Sequence, residues 1–299
     1  MPINKNGKWF VTGFLFAALW ASAATATKVG LTAAQPLVIA VVRFFSAAGI
    51  LLFITHVVRK QRLPSGAVWK QLAVYGLLNI AIYLGIYVVA MQSISAGIGS
   101  LSIASGPVYI SFMSVFFLNR KLTLPILFSL ITCISGIIIA ALPLFKDATV
   151  TTGGLLLLLF SMFSYSVGAI YFSSRNWDGL SLMTINGWQT LFGGIFLLPF
   201  MLFLYKGEKN HFNAAYWGAV GWLVIPVSIA AVQLWLWLLQ TNAVRAGLWL
   251  FLCPLFGFVF AAWWMHEPIS LYTVTGVILV VGGLFLSKID RKSSEVVFD

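Results

Sequence analysis

The sequence predicts an all-α integral membrane protein with ten transmembrane helices arranged as two inverted five-helix repeats. Three observations carry that prediction. Of the 299 residues 61% are AVILMFWYC and only 8% are charged, with a mean hydropathy of +0.98, whereas soluble domains carry about 25% charged residues. Apolar runs of 18 residues or more, each long enough to cross the hydrocarbon core, recur along nearly the whole chain. A self-match at a nearly constant offset relates the first half to the second. Disorder is excluded by the same composition, because 25 Phe, 12 Trp and 9 Tyr with so little charge are the reverse of a disordered segment.

The runs are bounded by charged or turn residues and fall at about 9–27, 36–58, 68–91, 97–118, 122–144, 153–173, 180–204, 215–239, 246–265 and 270–288. The first follows Lys5 and Lys8 and ends in Ala21-Ser22-Ala23, which imitates a cleavable leader. Its partner deep in the chain marks it instead as a retained span. The second ends at the basic loop Arg59-Lys60, and the fifth stops short of Lys146-Asp147. The sixth stops at Arg175, the seventh before Lys206, and the tenth before a basic tail. Most connections are short, with the longest near 59–67 and 206–214, so sequential helices are antiparallel neighbours in one bundle.

Orientation follows from the 18 Lys and Arg. With the N-terminus in the cytoplasm, the cytoplasmic segments hold Lys5, Lys8, Arg59, Lys60, Arg62, Lys70, Arg120, Lys121, Arg175, Arg245, Lys288, Arg291 and Lys292. The outer side holds only Lys28, Lys146, Lys206 and Lys209, and Arg43 lies inside a span. Both termini are therefore expected on the cytoplasmic side of the cell inner membrane. The net charge of +11 is spent on fixing topology against anionic lipid, and no nucleic-acid partner is implied. Cys133 and Cys253 both fall inside apolar runs and read as buried thiols, not as a disulfide.

Shifting the sequence by 147 residues lays Ala96 on Ala243, Pro107 on Pro254, Leu124 on Leu271, Gly136 on Gly283 and Ile137 on Leu284. Upstream the offset drifts to 145, pairing Gly49-Ile50 with Gly194-Ile195, and to 141, pairing Gly13 with Gly154. The expected units are residues 1–147, residues 148–290 and a short cytoplasmic tail, 291–299. Five spans per unit is an odd number, so the second unit must enter the membrane from the opposite side. Such inverted repeats are a recurrent architecture of secondary transporters, because two near-equivalent halves give two near-equivalent conformations, one open to each side.

Leu19-Trp20-Ala21-Ser22, the segment 243–254, Trp264-Met265-His266-Glu267-Pro268-Ile269-Ser270 and the closing Gly276 to Gly283 together resemble the EamA family of the drug/metabolite transporter superfamily. The resemblance covers essentially the whole chain. It implies ten spans in five plus five, outward transport, and a central cavity lined mainly by spans one, three, four, six, eight and nine. One departure stands out: the family often has an acidic residue after the fourth span as well as the ninth, and here the counterpart of Glu267 is Arg120.

The third span carries Tyr75, Asn79, Tyr83 and Tyr87 at four-residue intervals, a stripe that stays near one helix face. Lipid would leave such groups unsatisfied, so the stripe is expected to face the bundle interior. Gln233 and Trp237 are four apart in the eighth span, with Gln240 a turn further along; Ser102, Ser105 and Tyr109 flank Pro107, and Ser161, Ser164 and Tyr165 lie in the sixth. Combined with the cavity that the resemblance implies, the candidates for substrate contact are Trp20, Asn79, Tyr83, Tyr87, Ser105, Tyr109, Tyr165, Gln233 and Trp237. For the mid-span Tyr and Gln, interhelical bonding is an equally open reading. Pro107 and Pro254 at equivalent positions are candidate mid-helix hinges.

Arg43 is the one cation well inside a span, roughly 10 Å of helix rise past Pro36. Either it attracts a substrate carboxylate, or it bonds neighbouring helices and snorkels; the resemblance favours the structural role. All seven acids, and His56, His211 and His266, are peripheral, so no proton relay is visible at mid-depth. Glu267-Pro268 is expected to cap and start a helix at the turn after span nine. His266-Glu267 lacks the second histidine of a zinc-protease helix, and no phosphate-binding glycine loop precedes a Lys-Ser or Lys-Thr. The sequence therefore implies no enzyme, no cofactor and no metal. The expected partners are membrane lipid and a small amphipathic solute, such as an amino acid or related metabolite, handled by a monomer. A lipid or glycolipid flippase is the alternative, and an intramembrane enzyme or scaffold is disfavoured.

Overall fold

The computed structural model describes residues 5–106, 108–109, 112–113, 124–146, 150–235, 237–238 and 249–295. Among them there is no β-strand. The α-helices, in chain order, are α1 (Lys5–Leu31), α2 (Pro36–Leu52), α3 (Val68–Gly76), α4 (Gly85–Ala90), α5 (Ala96–Ala104), α6 (Leu124–Lys146), α7 (Thr152–Ser173), α8 (Leu182–Leu204), α9 (Ala214–Trp222), α10 (Cys253–Met265) and α11 (Leu271–Glu295). Three of them continue into wider π-helical turns, at Phe53–Val58, Leu77–Leu84 and Leu223–Ala231.

Seven helical segments are long and apolar enough to cross a membrane: Lys8–Leu31, Pro36–Val58, Val68–Ser93, Leu127–Leu144, Thr152–Phe172, Leu182–Leu204 and Ala214–Trp235. Cys253–Met265 and Leu271–Gly283 are shorter apolar helices. This is a multi-pass membrane protein. The expected fourth span begins as α5, but part of its course, including Pro107, lies outside the described residues, as do Gln240, Arg120 and Arg245.

Helix starts are set by local chemistry. The hydroxyls of Ser95, Thr151 and Ser181 and the side-chain carbonyl of Asn213 accept the free backbone N–H groups of Ile98, Gly154, Thr184 and Tyr216, at 3.0 to 3.3 Å. Pro36 opens α2, where a missing N–H costs nothing. Pro254 was expected in mid-helix, and the structure corrects this. It occupies the first turn of α10, just after a 3-10 turn at Leu250–Leu252, so the helix begins at the proline instead of kinking there. His266 ends α10 in the left-handed region, with φ 54°, and the chain then reverses toward α11.

The helices pair lengthwise. α6 lies along α11, α2 along α8, α5 on α10, α1 on α10 and on α9, and α7 on the wide turn after α3. Small residues permit the closest approaches. A Cβ on Gly276 would stand 2.5 Å from the carbonyl oxygen of Gly136, and one on Gly136 would stand 2.8 Å from that of Gly276. Ser129 Oγ donates to Gly283 O at 2.7 Å in the same contact. Side chains that would be costly to expose in water face outward instead, Phe203 at 89% and Leu271 at 80% exposure being examples. Lipid is their solvent. Cys133 and Cys253 are buried and unpaired.

Candidate functional site

The sequence-predicted stripe of the third span is carried by α3, the π-helical turn at Leu77–Leu84 and α4. Widened turns of this kind are frequent at functional sites. Tyr83 stands at the centre of an aromatic group, its ring 5.0 Å from Tyr165 on α7 and 6.3 Å from Tyr87 on α4. Tyr83 and Tyr87 are both buried, and the Tyr87 hydroxyl has no hydrogen-bond partner among the described residues. Tyr75, about two turns before Tyr83, belongs elsewhere and packs on Phe172 and Trp177.

Arg43 is buried on α2 and donates from Nε to the hydroxyl of Ser228 at 2.9 Å. Ser228 sits in the other long π-helical turn, Leu223–Ala231, and its carbonyl accepts Asn186 Nδ2 at 3.1 Å. From there the bonding runs on through α8: Gln189 Nε2 donates to Asn186 Oδ1 at 3.2 Å, and Asn79 Nδ2 donates to Gln189 Oε1 at 3.0 Å. One continuous polar path thus crosses from α2 to the turn after α9, through α8, to the turn after α3. Tyr83 and Tyr87 lie within electrostatic reach of Arg43, and its guanidinium carbon is 5.3 Å from the ring centre of Phe44. Among the described residues the ion pair present is Arg62 with Asp178, at 3.5 Å on the surface. Arg43 therefore stands as a buried cation without a carboxylate partner among them.

The other candidates divide. Trp20 is half-buried on α1 and touches three separate apolar clusters, which puts it at the junction between them. Ser105 is buried and spends its hydroxyl proton on Ser102 O at 2.5 Å. Tyr109 is buried beside Cys133 in the cluster that also holds Tyr83 and Tyr87, and its hydroxyl has no partner among the described residues. Gln233 Nε2 is likewise buried and unpartnered among them. Trp237 is drawn to the start of α1, with its ring 6.0 Å from Trp9 and Lys8 Nζ 5.3 Å from its centre. The structure thus brings together Tyr83, Tyr87 and Tyr165, ties Asn79 into the polar path, and sets Trp237 apart.

Sequence reasoning passed over Asn186, Gln189, Thr190 and Ser228. The spacing Asn186-x-x-Gln189-Thr190 inside an apolar run was the available signal, because amides at mid-span in lipid demand partners. Ser228 is a single hydroxyl among Leu, Val and Ile, and only the fold reveals its neighbour.

A concavity opens elsewhere in the bundle. It holds about 420 Å³ between α1, α9 and α10, and Ser22, Thr25, Val29, Trp222, Phe260 and Trp264 are among its walls. Trp222 Nε1 donates to Ser22 Oγ at 2.8 Å at its edge.

The model of the EamA-like transporter family matches twice, over residues 7–142 and 152–289. The uncharacterized transporter YoaV of Bacillus subtilis is 24% identical over 273 residues, covering 90% of this chain and 92% of that protein. YvbV of the same organism, also an uncharacterized transporter, is 25% identical over 283 residues, covering 90% and 88%. An uncharacterized transporter of Archaeoglobus fulgidus is 24% identical, covering 93% and 98%. A solved structure, described only as a crystal structure of a protein, shares the fold with a TM-score of 0.63 at 19% identity, over 94% of this chain and 98% of the other. With both matched segments together spanning nearly all of its length, the chain belongs to the EamA-like transporter family.

Proposed function

We propose that the protein is a secondary transporter that moves a small organic metabolite, such as an amino acid or related amphipathic solute, outward across the cell inner membrane by alternating access. In this reading ten spans form two inverted five-helix repeats, residues 1–147 and 148–290, with both termini and the 291–299 tail in the cytoplasm. The observation that carries it is the pairing of helices. Under the sequence offset α6 is the counterpart of α11 and α2 of α8, and each of these lies against its own counterpart. Contacts of that kind are what an axis relating two halves generates, and the axis in the membrane plane makes both access states available to one fold.

The solute is read as resting on Tyr83, Tyr87 and Tyr165, with Trp20, Asn79, Ser105, Tyr109 and Gln233 as further contacts. Arg43 is the charge contact in reserve: a buried guanidinium without a carboxylate partner among the described residues favours a solute with an anionic group. Aromatic faces with few charges suit an amphipathic molecule better than a multivalent ion. Pro107 is proposed as a place where the fourth span bends; Pro254, which starts α10, is not its hinge counterpart. The test is metabolite counterflow in proteoliposomes at several pH gradients without nucleotide. Exchange of a labelled solute supports the reading, and strict ATP dependence contradicts it.

A flippase for lipid or glycolipid is the second reading. The apolar concavity between α1, α9 and α10 favours it, because a flippase needs a lateral opening. Scrambling of a labelled lipid in the same vesicles, with no metabolite exchange, would select it.

A further inference from the structure

Glu267 and the first turn of α5 meet at one end of the bundle, across the boundary between the two halves. Oε1 accepts Ala96 N at 2.5 Å and Oε2 accepts Gly97 N at 3.0 Å. These are N–H groups that α5 itself cannot satisfy, and the carboxylate stands at the positive end of the helix. Both bonds are charge-assisted. The turn that delivers the carboxylate is built for it: His266 adopts the left-handed conformation and Glu267 N donates back to Ala261 O at 3.2 Å. On the receiving side Gly97 leaves the room that is needed, since a Cβ there would collide with Phe258 and stand 3.2 Å from Glu267 Oε2. Lys28, at the end of α1, is attracted to Glu267 and donates to Met91 O at 3.1 Å. Beneath these contacts Met91, Ile94, Ala96 and Ile98 are fully buried.

The sequence repeat makes this contact one-sided. The offset that pairs Ala96 with Ala243 pairs Glu267 with Arg120. A guanidinium has no acceptor for a backbone N–H, and its charge opposes the positive end of a helix. The end that holds Glu267 therefore has a closure for which the opposite end carries the wrong chemistry.

We propose that Glu267 is an outer latch: its carboxylate, reaching from the turn after α10 in one half to the start of α5 in the other, holds the outer end of the bundle closed, and with Arg120 at the equivalent inner position the carrier rests open to the cytoplasm. The inference rests on the inverted-repeat reading above. Rocking the halves apart at the outer end must break both carboxylate bonds, and Arg120, which the sequence repeat sets in place of Glu267, has no acceptor with which to make an equivalent pair.

The test is side-specific labelling in proteoliposomes of known orientation, with Cys133 and Cys253 replaced by Ala and Ser105→Cys as the reporter for a membrane-impermeant maleimide. Glu267→Gln should raise the labelling rate from the outer side about tenfold or more, because it weakens two charge-assisted bonds. Glu267→Asp should restore part of the slow rate. Arg120→Glu, which leaves the latch intact and gives the inner end its own acceptor, should raise outer labelling and lower inner labelling. Unchanged labelling in a monodisperse Glu267→Gln protein would overturn the latch, and so would an Arg120→Glu protein indistinguishable from the parent. A Glu267 that only stabilised α5 would lower the melting temperature and leave Arg120→Glu without effect, which also overturns it. Counterflow by the unsubstituted protein reports separately on whether the chain is a carrier at all.

Discussion

Arg43 Nε and Ser228 Oγ lie 2.9 Å apart, and through them α2 is bound to the π-helical turn that follows α9. Ser228 serves both ends of that contact: its hydroxyl accepts the guanidinium while its carbonyl accepts Asn186 Nδ2. In a low-dielectric interior a charged donor deprived of its acceptor loses far more than the bond is worth in water.

Ser228→Ala should therefore destabilise the purified protein by about 1–3 kcal/mol. Arg43→Met, which removes charge and hydrogen bond together, should cost less in combination with Ser228→Ala than the two single changes sum to. Denaturation of all four proteins in one detergent forms a double-mutant cycle, and a coupling energy near zero would show that the pair is not energetically joined.

Tyr87→Phe separates support from substrate contact. The hydroxyl has no partner among the described residues, so its removal should leave stability unchanged or raise it by up to about 1 kcal/mol. If the group faces the solute, exchange of a proven substrate falls while the melting temperature does not. Tyr83→Ala should lower both, because its ring stands against Tyr165 and Tyr87.

Gly276→Ala tests the long contact between α6 and α11. A Cβ at this position would stand 2.5 Å from Gly136 O and 2.6 Å from Ala140 Cβ. Backbone and a packed methyl cannot give way without separating the helices, so a loss of about 1–3 kcal/mol is expected. Gly153→Ala is the matched control, because nothing lies within 4 Å of its added Cβ. Comparable melting temperatures for the two would refute the close approach.

What the sequence revealed follows from what periodicity and solvent cost can encode. The apolar run at 36–58 is the observed Pro36–Val58, and the long connections near 59–67 and 206–214 fall between observed helices. A run of side chains that water would reject is legible residue by residue. Partners are not. Glu267 was read as a cap, yet it caps α5, 171 residues away in sequence, because which helix end stands beside it depends on how the halves assemble. Asn79 was grouped with Tyr83 by its spacing, but the widened turn and the neighbouring α8 direct its amide to Gln189. Trp237 was paired with Gln233 on spacing alone, and the rings and charge at the start of α1 hold it instead.

The central claim is that two equivalent halves are inserted in opposite senses, and Ser65 and Gly207 test it most directly. Both are exposed, and they occupy matching interhelical loops, one in each half. Single cysteines at these positions, in a background without Cys133 and Cys253, are probed in intact cells with an impermeant maleimide. The account predicts that Gly207→Cys reacts from outside the cell while Ser65→Cys reacts only after the membrane is opened. Reaction of both from the same side would contradict it.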